Sequence, residues 1–337
     1  MFLRGRKKTV FLLGVVLGAV FLWIAIRDVD FVALGAALAS ARFAYVVPFL
    51  TIFALFFWLK ASRWGYLLRP ARKFSNRELV APMMIGFAGN NVLPVRLGEL
   101  LRVYLLSREF GISKTVILAT LILERVFDAI CILVLLSIAM LVVNIESTDL
   151  SAARFFLITA ATMSVAAVYA VVKPPEWLRA LKRNVFDLFP ASVSRALNEK
   201  IGFVRQGFGA VRSAGKAALI AANSMAQWTL MAVCIYISLV ALGIQISPAA
   251  SIIVLGLVVA GISIPSAPGF VGTIELCFVI GLGFFGVDAS DALAAAIFYH
   301  VLTFASVTAT GALLFGRYDA SFSDLRHDAE SANKTDR

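Results

Sequence analysis

The chain has 337 residues, of which 61% are apolar and 15% charged. Soluble domains run nearer to about 45–50% apolar and about 25% charged. This balance excludes an ordinary soluble enzyme, a disordered chain and a disulfide scaffold. It predicts an all-α polytopic membrane protein. The net charge of +11 comes from 31 Lys and Arg against 20 Asp and Glu. In a soluble protein that excess would suggest nucleic acid, but between apolar segments it reads as orientation bias, and no nucleic-acid partner is expected.

The N-terminal MFLRGRKK precedes an apolar run from Thr9 to Ile26. No small-residue cleavage site follows, so the run is read as a retained first span, with Gly14 and Gly18 spaced for close helix packing. Further spans are expected at 43–59, 115–143, 153–172, 217–242 and 291–316, each long enough to cross about 30 Å of hydrocarbon. Two apolar regions are broken. Region 79–106 is interrupted by Asn90-Asn91 and by Pro94 to Glu99, and region 249–287 by Pro265 to Gly269. Their pieces are short for full crossings.

Counting basic residues decides how the broken regions run. If both are re-entrant hairpins, the first entering from the cytoplasm and the second from outside, 27 of the 31 Lys and Arg fall on the cytoplasmic side. A full crossing at 79–95 would move the nine basic residues of 173–216 outside, against the positive-inside rule. The expected architecture is six full spans plus two re-entrant hairpins, inverted-repeat-like, in a bacterial cytoplasmic membrane with both termini cytoplasmic. Residues 1–320 form one membrane domain. Segment 173–216 is read as an amphipathic basic surface at the cytoplasmic interface, and 321–337 as a disordered tail.

Three constellations carry polar groups at membrane depth. In the first, Arg96, Glu99 and Arg102 are spaced i, i+3, i+6 after Asn90, Asn91 and Pro94, with Gly98 among them. Two guanidiniums against one carboxylate suit a phosphate. The second is Glu124-Arg125-Val126-Phe127-Asp128. Glu124 and Asp128 share a helix face, and Arg125 is placed to pair with Asp128. They are candidates for coupling or for a structural ion pair, as is His300. In the third, Pro265 and Pro268 to Gly269 break one helix, and Gly272, Thr273 and Glu275 start another, whose N–H groups are suited to receive an anion. Glu275 is expected to answer Arg96 or Arg102. Arg63 and Trp64, with Lys60, are read as interface anchors at the end of the second span. Gln227-Trp228 and Tyr299-His300 are read as interhelical hydrogen-bonding groups. The three cysteines form no CxxC pair and two histidines are too few for a His-based metal site, so neither a metal nor another cofactor is expected. The GxGxxG match at 281–286 lies in an apolar helix without a preceding strand and is not a dinucleotide site. No hydrolase or transferase motif is found, and no enzyme activity is expected.

The runs NNVLPVRLGELLR, ERVFD and PSAPGFVGTIE, with ASRW before residue 65 and QW at 227–228, resemble the lysylphosphatidylglycerol synthase transmembrane family, a flippase-like group also called uncharacterised protein family 0104. The resemblance runs from about residue 9 to 316. Within it, the family's usual second glycine after Pro268 is Phe270, and its usual arginine is His300. The resemblance implies the membrane, lipid-moving part rather than the soluble aminoacyl-transferring part, since only about 20 residues follow the last span. Two functions remain open. One is a transporter moving an anionic or phosphate-headed amphiphile, such as a phospholipid or an isoprenoid-linked or hopanoid lipid, between leaflets. The other is a non-transporting membrane partner of a lipid-modifying or glycosyl-transferring enzyme. Membrane lipids are the partners common to both.

Overall fold

The computed structural model describes residues 2–93, 96–143, 157–164, 166, 214–264 and 267–316. The chain is an all-α polytopic membrane protein, with no strand among the described residues. Ten helices carry the architecture: α1 (Phe2–Ile26), α2 (Phe31–Ala39), α3 (Val46–Leu68), α4 (Asn76–Val92), α5 (Leu97–Phe110), α6 (Lys114–Val142), α7 (Ala214–Ala241), α8 (Pro248–Ser263), α9 (Thr273–Gly283) and α10 (Ala289–Phe315). Residues 157–164 are also helical. The remainder of the expected span 153–172, most of the basic segment 173–216, the tail, and the hairpin prolines Pro94 and Pro265 lie outside the described residues.

Among the described residues four helices are long and apolar enough to cross a membrane: those within Phe43–Leu68, Lys114–Val142, Gly215–Ala241 and Ala289–Phe315. The first expected span lies in α1. The α4–α5 and α8–α9 pairs are the two broken regions. At 1.5 Å per residue, α8 is about 24 Å long and α9 about 16 Å, short of the roughly 20 residues a crossing needs.

Both pairs fold back as antiparallel hairpins through small residues. A Cβ added at Gly98 would stand 1.9 Å from the Gly86 carbonyl, and one at Gly89 would stand 3.0 Å from the Gly98 Cα. Glycine is required there because the two backbones are in contact. In the second hairpin, Gly261 packs on Cys277 and Gly281 on Val254 and Leu257.

The hairpins enter from opposite ends. Leu79, near the start of α4, packs on Gly65 near the end of α3. Ala249, at the start of α8, clusters with Ala139 and Val143 at the end of α6. The packing obeys an approximate two-fold exchange: α3 lies against α7, α4 runs along α10, and α8 runs along α6. The α3–α7 pair is antiparallel, since the Arg42 amide donates to Ala241 at one end and Arg63 meets Ser224 towards the other. Long helix, hairpin, long helix thus occurs twice with opposite sense, the inverted-repeat arrangement of many transporters.

Helix starts are set by capping. Asp30 caps α2, Ser247 caps α8 and Asp288 caps α10. The Ser75 hydroxyl accepts from the Glu78 amide while Glu78 accepts from the Ser75 amide at 2.7 Å, a capping box opening α4.

Candidate functional site

The two hairpin tips meet in the interior. A Cβ added at Gly269 would stand 3.4 Å from the Asn91 carbonyl, and the Arg96 guanidinium donates to the Ile262 carbonyl at the end of α8 while lying 5.8 Å from the Phe270 ring centre. Backbone this irregular is tolerated at membrane depth only where it is buried in protein or lines a wet cavity. Both tips carry left-handed backbone: φ is 55° at Arg96, 69° at Gly269, 63° at Phe270 and 83° at Gly272. Phe270 adopts this strained conformation at the position where the resembled family carries its second glycine.

Beside the tips is a cavity of about 190 Å³ lined by residues from both hairpins and from α3, α6, α7 and α10. Its wall is largely apolar, with aromatic rings from Phe53, Phe56 and Phe57 of α3, Phe87 of α4, Trp228 of α7, Phe270 of the second tip, and Tyr299 and Phe304 of α10. Its polar groups are Lys60, Asn90, Asn91, Arg96, Glu99, Arg125, His300 and Thr303.

A buried ion network backs the cavity. Lys60 and Arg63 on α3, Arg102 on α5, and Glu124 and Asp128 on α6 are all at most 4% exposed. Lys60 Nζ stands 2.7 Å from Glu124 Oε1, Arg63 Nη1 is 2.5 Å from Asp128 Oδ1, and Arg102 Nη2 is 3.2 Å from Glu124 Oε2. The Trp228 indole donates to Asp128 Oδ1 at 2.9 Å, Ser224 meets Arg63 at 2.5 Å, and the Arg102 guanidinium lies 3.5 Å over the Trp64 ring. Three cations thus face two carboxylates in this cluster. Arg63 Nε and Nη2 and Arg102 Nε remain without a hydrogen-bond partner. Arg125 pairs with Glu99 at the cavity edge.

Several expected placements are corrected. Arg63 and Trp64 are not interface anchors but core residues at 0% exposure, because α3 continues to Leu68 and their partners on α6 are internal. Arg125 pairs with Glu99, not Asp128, since Asp128 turns inward to α3 and α7 while Arg125 points to the cavity side. Arg102 is held in the buried network and does not line the cavity. Glu275 answers neither Arg96 nor Arg102. Its Oε1 is 2.6 Å from His300 Nδ1, and its Oε2 accepts from the Gly272 amide at 2.7 Å. The start of α9 is therefore capped by its own carboxylate instead of standing open to an anion. Four residues counted as cytoplasmic, Lys60, Arg63, Arg96 and Arg102, lie inside the helix assembly. Removing them leaves 23 basic residues on the expected cytoplasmic side against Arg27, Arg42 and Arg154 on the other.

The structure does bring Asn90, Asn91, Arg96, Glu99, Arg125, Gly269 and His300 around one cavity. Asn91 donates to Thr308 at 3.0 Å, while Asn90 Oδ1 and Thr273 Oγ1 are buried without a partner. Gly98 and Gly272 serve close packing, and Gly272 fits against the Gly18 carbonyl of α1, where a Cβ would stand at 2.1 Å. Pro268 opens the short helical turn of the second tip. Of the expected interhelical groups, Trp228 bonds across to α6, whereas Gln227 bonds to Asn223 on its own helix. Sequence reasoning missed the aromatic wall and the role of Lys60 and Arg63. The signal was their i, i+3 spacing on α3, complementary to Glu124 and Asp128 at i, i+4 on α6. No cluster of His, Cys, Asp and Glu suited to a metal occurs among the described residues.

One similar protein, the Glycosyltransferase AglD of Haloferax volcanii, is 26% identical over 336 residues, covering 89% of this chain. The chain spans about half the length of that relative, 53% of it. Residues 11–311 match the family described as the lysylphosphatidylglycerol synthase TM region. With that match over most of its length, the chain belongs to this family of multi-pass membrane proteins.

Proposed function

We propose that the protein moves a lipid with an anionic or phosphate headgroup between leaflets, with both termini cytoplasmic. The observation that carries this reading is Arg96. It lines an aromatic cavity where two oppositely entering hairpins meet, and among the described residues no carboxylate pairs with it. The other cations on the wall, Lys60 and Arg125, are paired with Glu124 and Glu99. A planar guanidinium with free donors at membrane depth suits a phosphate diester, and the apolar wall suits the acyl or isoprenoid portion next to it. Asn90 and Asn91 add polar groups beside the head. The inverted pairing of the hairpins supplies the two related arrangements that alternating access requires.

The test is reconstitution into phosphatidylcholine vesicles containing a trace of fluorescent phosphatidylglycerol, with leaflet exchange read by quenching of the outer label. Loss of one charge-assisted contact of about 1.5–3 kcal/mol predicts that Arg96→Ala slows exchange about tenfold to a hundredfold. Exchange unchanged by Arg96→Ala overturns the reading.

A second reading is a membrane partner or anchor of a lipid-modifying or glycosyl-transferring enzyme. It is favoured by the glycosyltransferase name of the relative that is about twice the length of the matched region. Under it, replacing the basic residues of 173–216 abolishes the cellular phenotype while Arg96→Ala does not.

A further inference from the structure

The second hairpin tip is fastened to α10 through one imidazole. His300 Nε2 is 2.8 Å from the Gly269 carbonyl and His300 Nδ1 is 2.6 Å from Glu275 Oε1. Both ring nitrogens therefore face oxygen atoms, whereas turning the ring over would set two carbons against them. A carbonyl only accepts, so the nitrogen facing Gly269 carries a proton. A neutral imidazole has one N–H, which would leave a bare Nδ1 against an ionised carboxylate at contact distance. The arrangement is satisfied only when the His300–Glu275 pair holds one proton more than neutral imidazole plus carboxylate. The other carboxylate oxygen, Oε2, is already bound to the Gly272 amide. The pair thus ties together Gly269, Gly272 and α10 around a turn with three left-handed residues.

His300 is 8% exposed and Glu275 6%, yet His300 lines the same cavity as Arg96. We infer that the His300–Glu275 pair is a proton-binding latch that holds the second hairpin tip on α10 and opens when its proton leaves to the cavity. The Nδ1–H bond breaks, its electron pair stays on Nδ1, and cavity water takes the proton. The remaining lone pair then opposes the carboxylate, and Glu275 with the Gly272 amide it holds is released from α10, while Nε2–H stays on the Gly269 carbonyl. This rests on the transport reading for its consequence, one proton per opening, but not for the proton site itself.

Other titratable groups leave the latch to Glu275. On α9, Cys277 is turned to the Leu257 carbonyl. On α10, Tyr299 packs between Phe49 and Phe278. From α3, α5 and α6, Lys60, Arg96 and Arg125 with Glu99 line the cavity. Two of these cations are paired, and Arg96 is held on the Ile262 carbonyl.

Two measurements test the latch in the full-length protein in lipid vesicles. The first uses the sequence's two histidines: His327→Asn leaves His300 as the sole imidazole. With ring-labelled histidine and labelled Glu carboxyls, magnetic resonance is expected to show one extra proton on the pair at neutral pH, lost as pH rises. Glu275→Gln is expected to abolish the extra proton shared with a carboxylate and to change that transition. A singly protonated imidazole facing an ionised Glu275 from about pH 5 to pH 9 overturns the latch. The second follows fluorescent phosphatidylglycerol. Exchange is expected to rise about tenfold as pH rises through the pair's transition in the wild type, and to be slow and flat with pH in His300→Arg, which keeps the charge and cannot release it. Exchange that proceeds without pH dependence overturns the gating role and leaves the transport reading standing. If no lipid moves at all, the transport reading fails while the ring-nitrogen titration still decides the proton site.

Discussion

The two hairpins share a backbone plan and differ in how their tips are held. The first tip is governed by Arg96, a permanent cation that reaches across to the Ile262 carbonyl, and its second helix sends Glu99 and Arg102 to partners on α6. The second hairpin carries one charged residue, Glu275, whose oxygens are spent on Gly272 and His300. One tip thus presents charge that its own surroundings leave unneutralised, and the other is closed on itself. The difference shows that pseudo-symmetric topology does not require symmetric chemistry. Under the proposed transport reading, the first hairpin holds the headgroup and the second is held and let go.

The largest expected effect tests whether the charge around the first hairpin is structural or spare. Asp128→Ala leaves Arg63 buried with its closest carboxylate gone, a change expected to cost about 3–5 kcal/mol. It should appear as loss of folded, monodisperse protein in detergent or a steep fall in Tm. Wild-type stability would mean that the network is solvated, and the contrast between the hairpins would weaken.

Next come the glycines that let each hairpin close. Gly98→Ala would push a methyl into the Gly86 carbonyl, and Gly272→Ala would push one into the Gly18 carbonyl at φ 83°. Each is expected to destabilise by about 1–3 kcal/mol, whereas Gly35→Ala, in the interior of α2 with nothing within 4 Å, should keep or slightly raise Tm. Equal Tm for all three would break the claim that both hairpins depend on backbone contact.

A smaller effect sharpens the role of the first tip. Arg96→Lys keeps the charge but loses the planar fork, so lipid exchange should fall by a smaller factor than in Arg96→Ala, with stability within about 0.5 kcal/mol of wild type. Equal loss in both variants would assign the effect to the fork rather than to charge.

The smallest concerns the entrance of the first hairpin. Ser75→Ala removes the capping box and is expected to cost about 1 kcal/mol. The Ser75 amide and hydroxyl hold the Glu78 carboxyl below its ordinary range. A depressed carboxylate stabilises the fold above its unfolded pKa and ceases to do so as pH falls through its folded value. The difference between wild type and Ser75→Ala should therefore shrink in acid, as measured by Tm against pH.

Much of this was legible in the residues themselves. The break at Asn90 to Glu99 and the break at Pro265 to Gly269 announced two hairpins, because Pro and Gly interrupt helices wherever they fall. Glu124 and Asp128 announced a charged face at depth, because no aqueous loop lies near enough to hold them. The partners of those charges were not legible. Arg63 meets Asp128 from 65 residues away, and i, i+3 spacing wrongly offered Arg125 in its place. Glu275 looked like an anion awaiting an arginine, yet the capping geometry of α9 and the rotation of α10 gave it Gly272 and His300.

The sequence by itself determines the membrane class, the two broken segments and the family. Each is a local response of a segment to lipid, water or the translocation machinery, and each can be read one segment at a time. Only the tertiary structure decides that the two tips touch, that Lys60 and Arg63 are core residues, that Arg96 is the cavity cation without a carboxylate, and that His300 closes the second tip. Those outcomes depend on the rotation of each helix and on antiparallel docking between helices far apart in sequence. At that range, a few ångströms determine whether a charge is paired or left over.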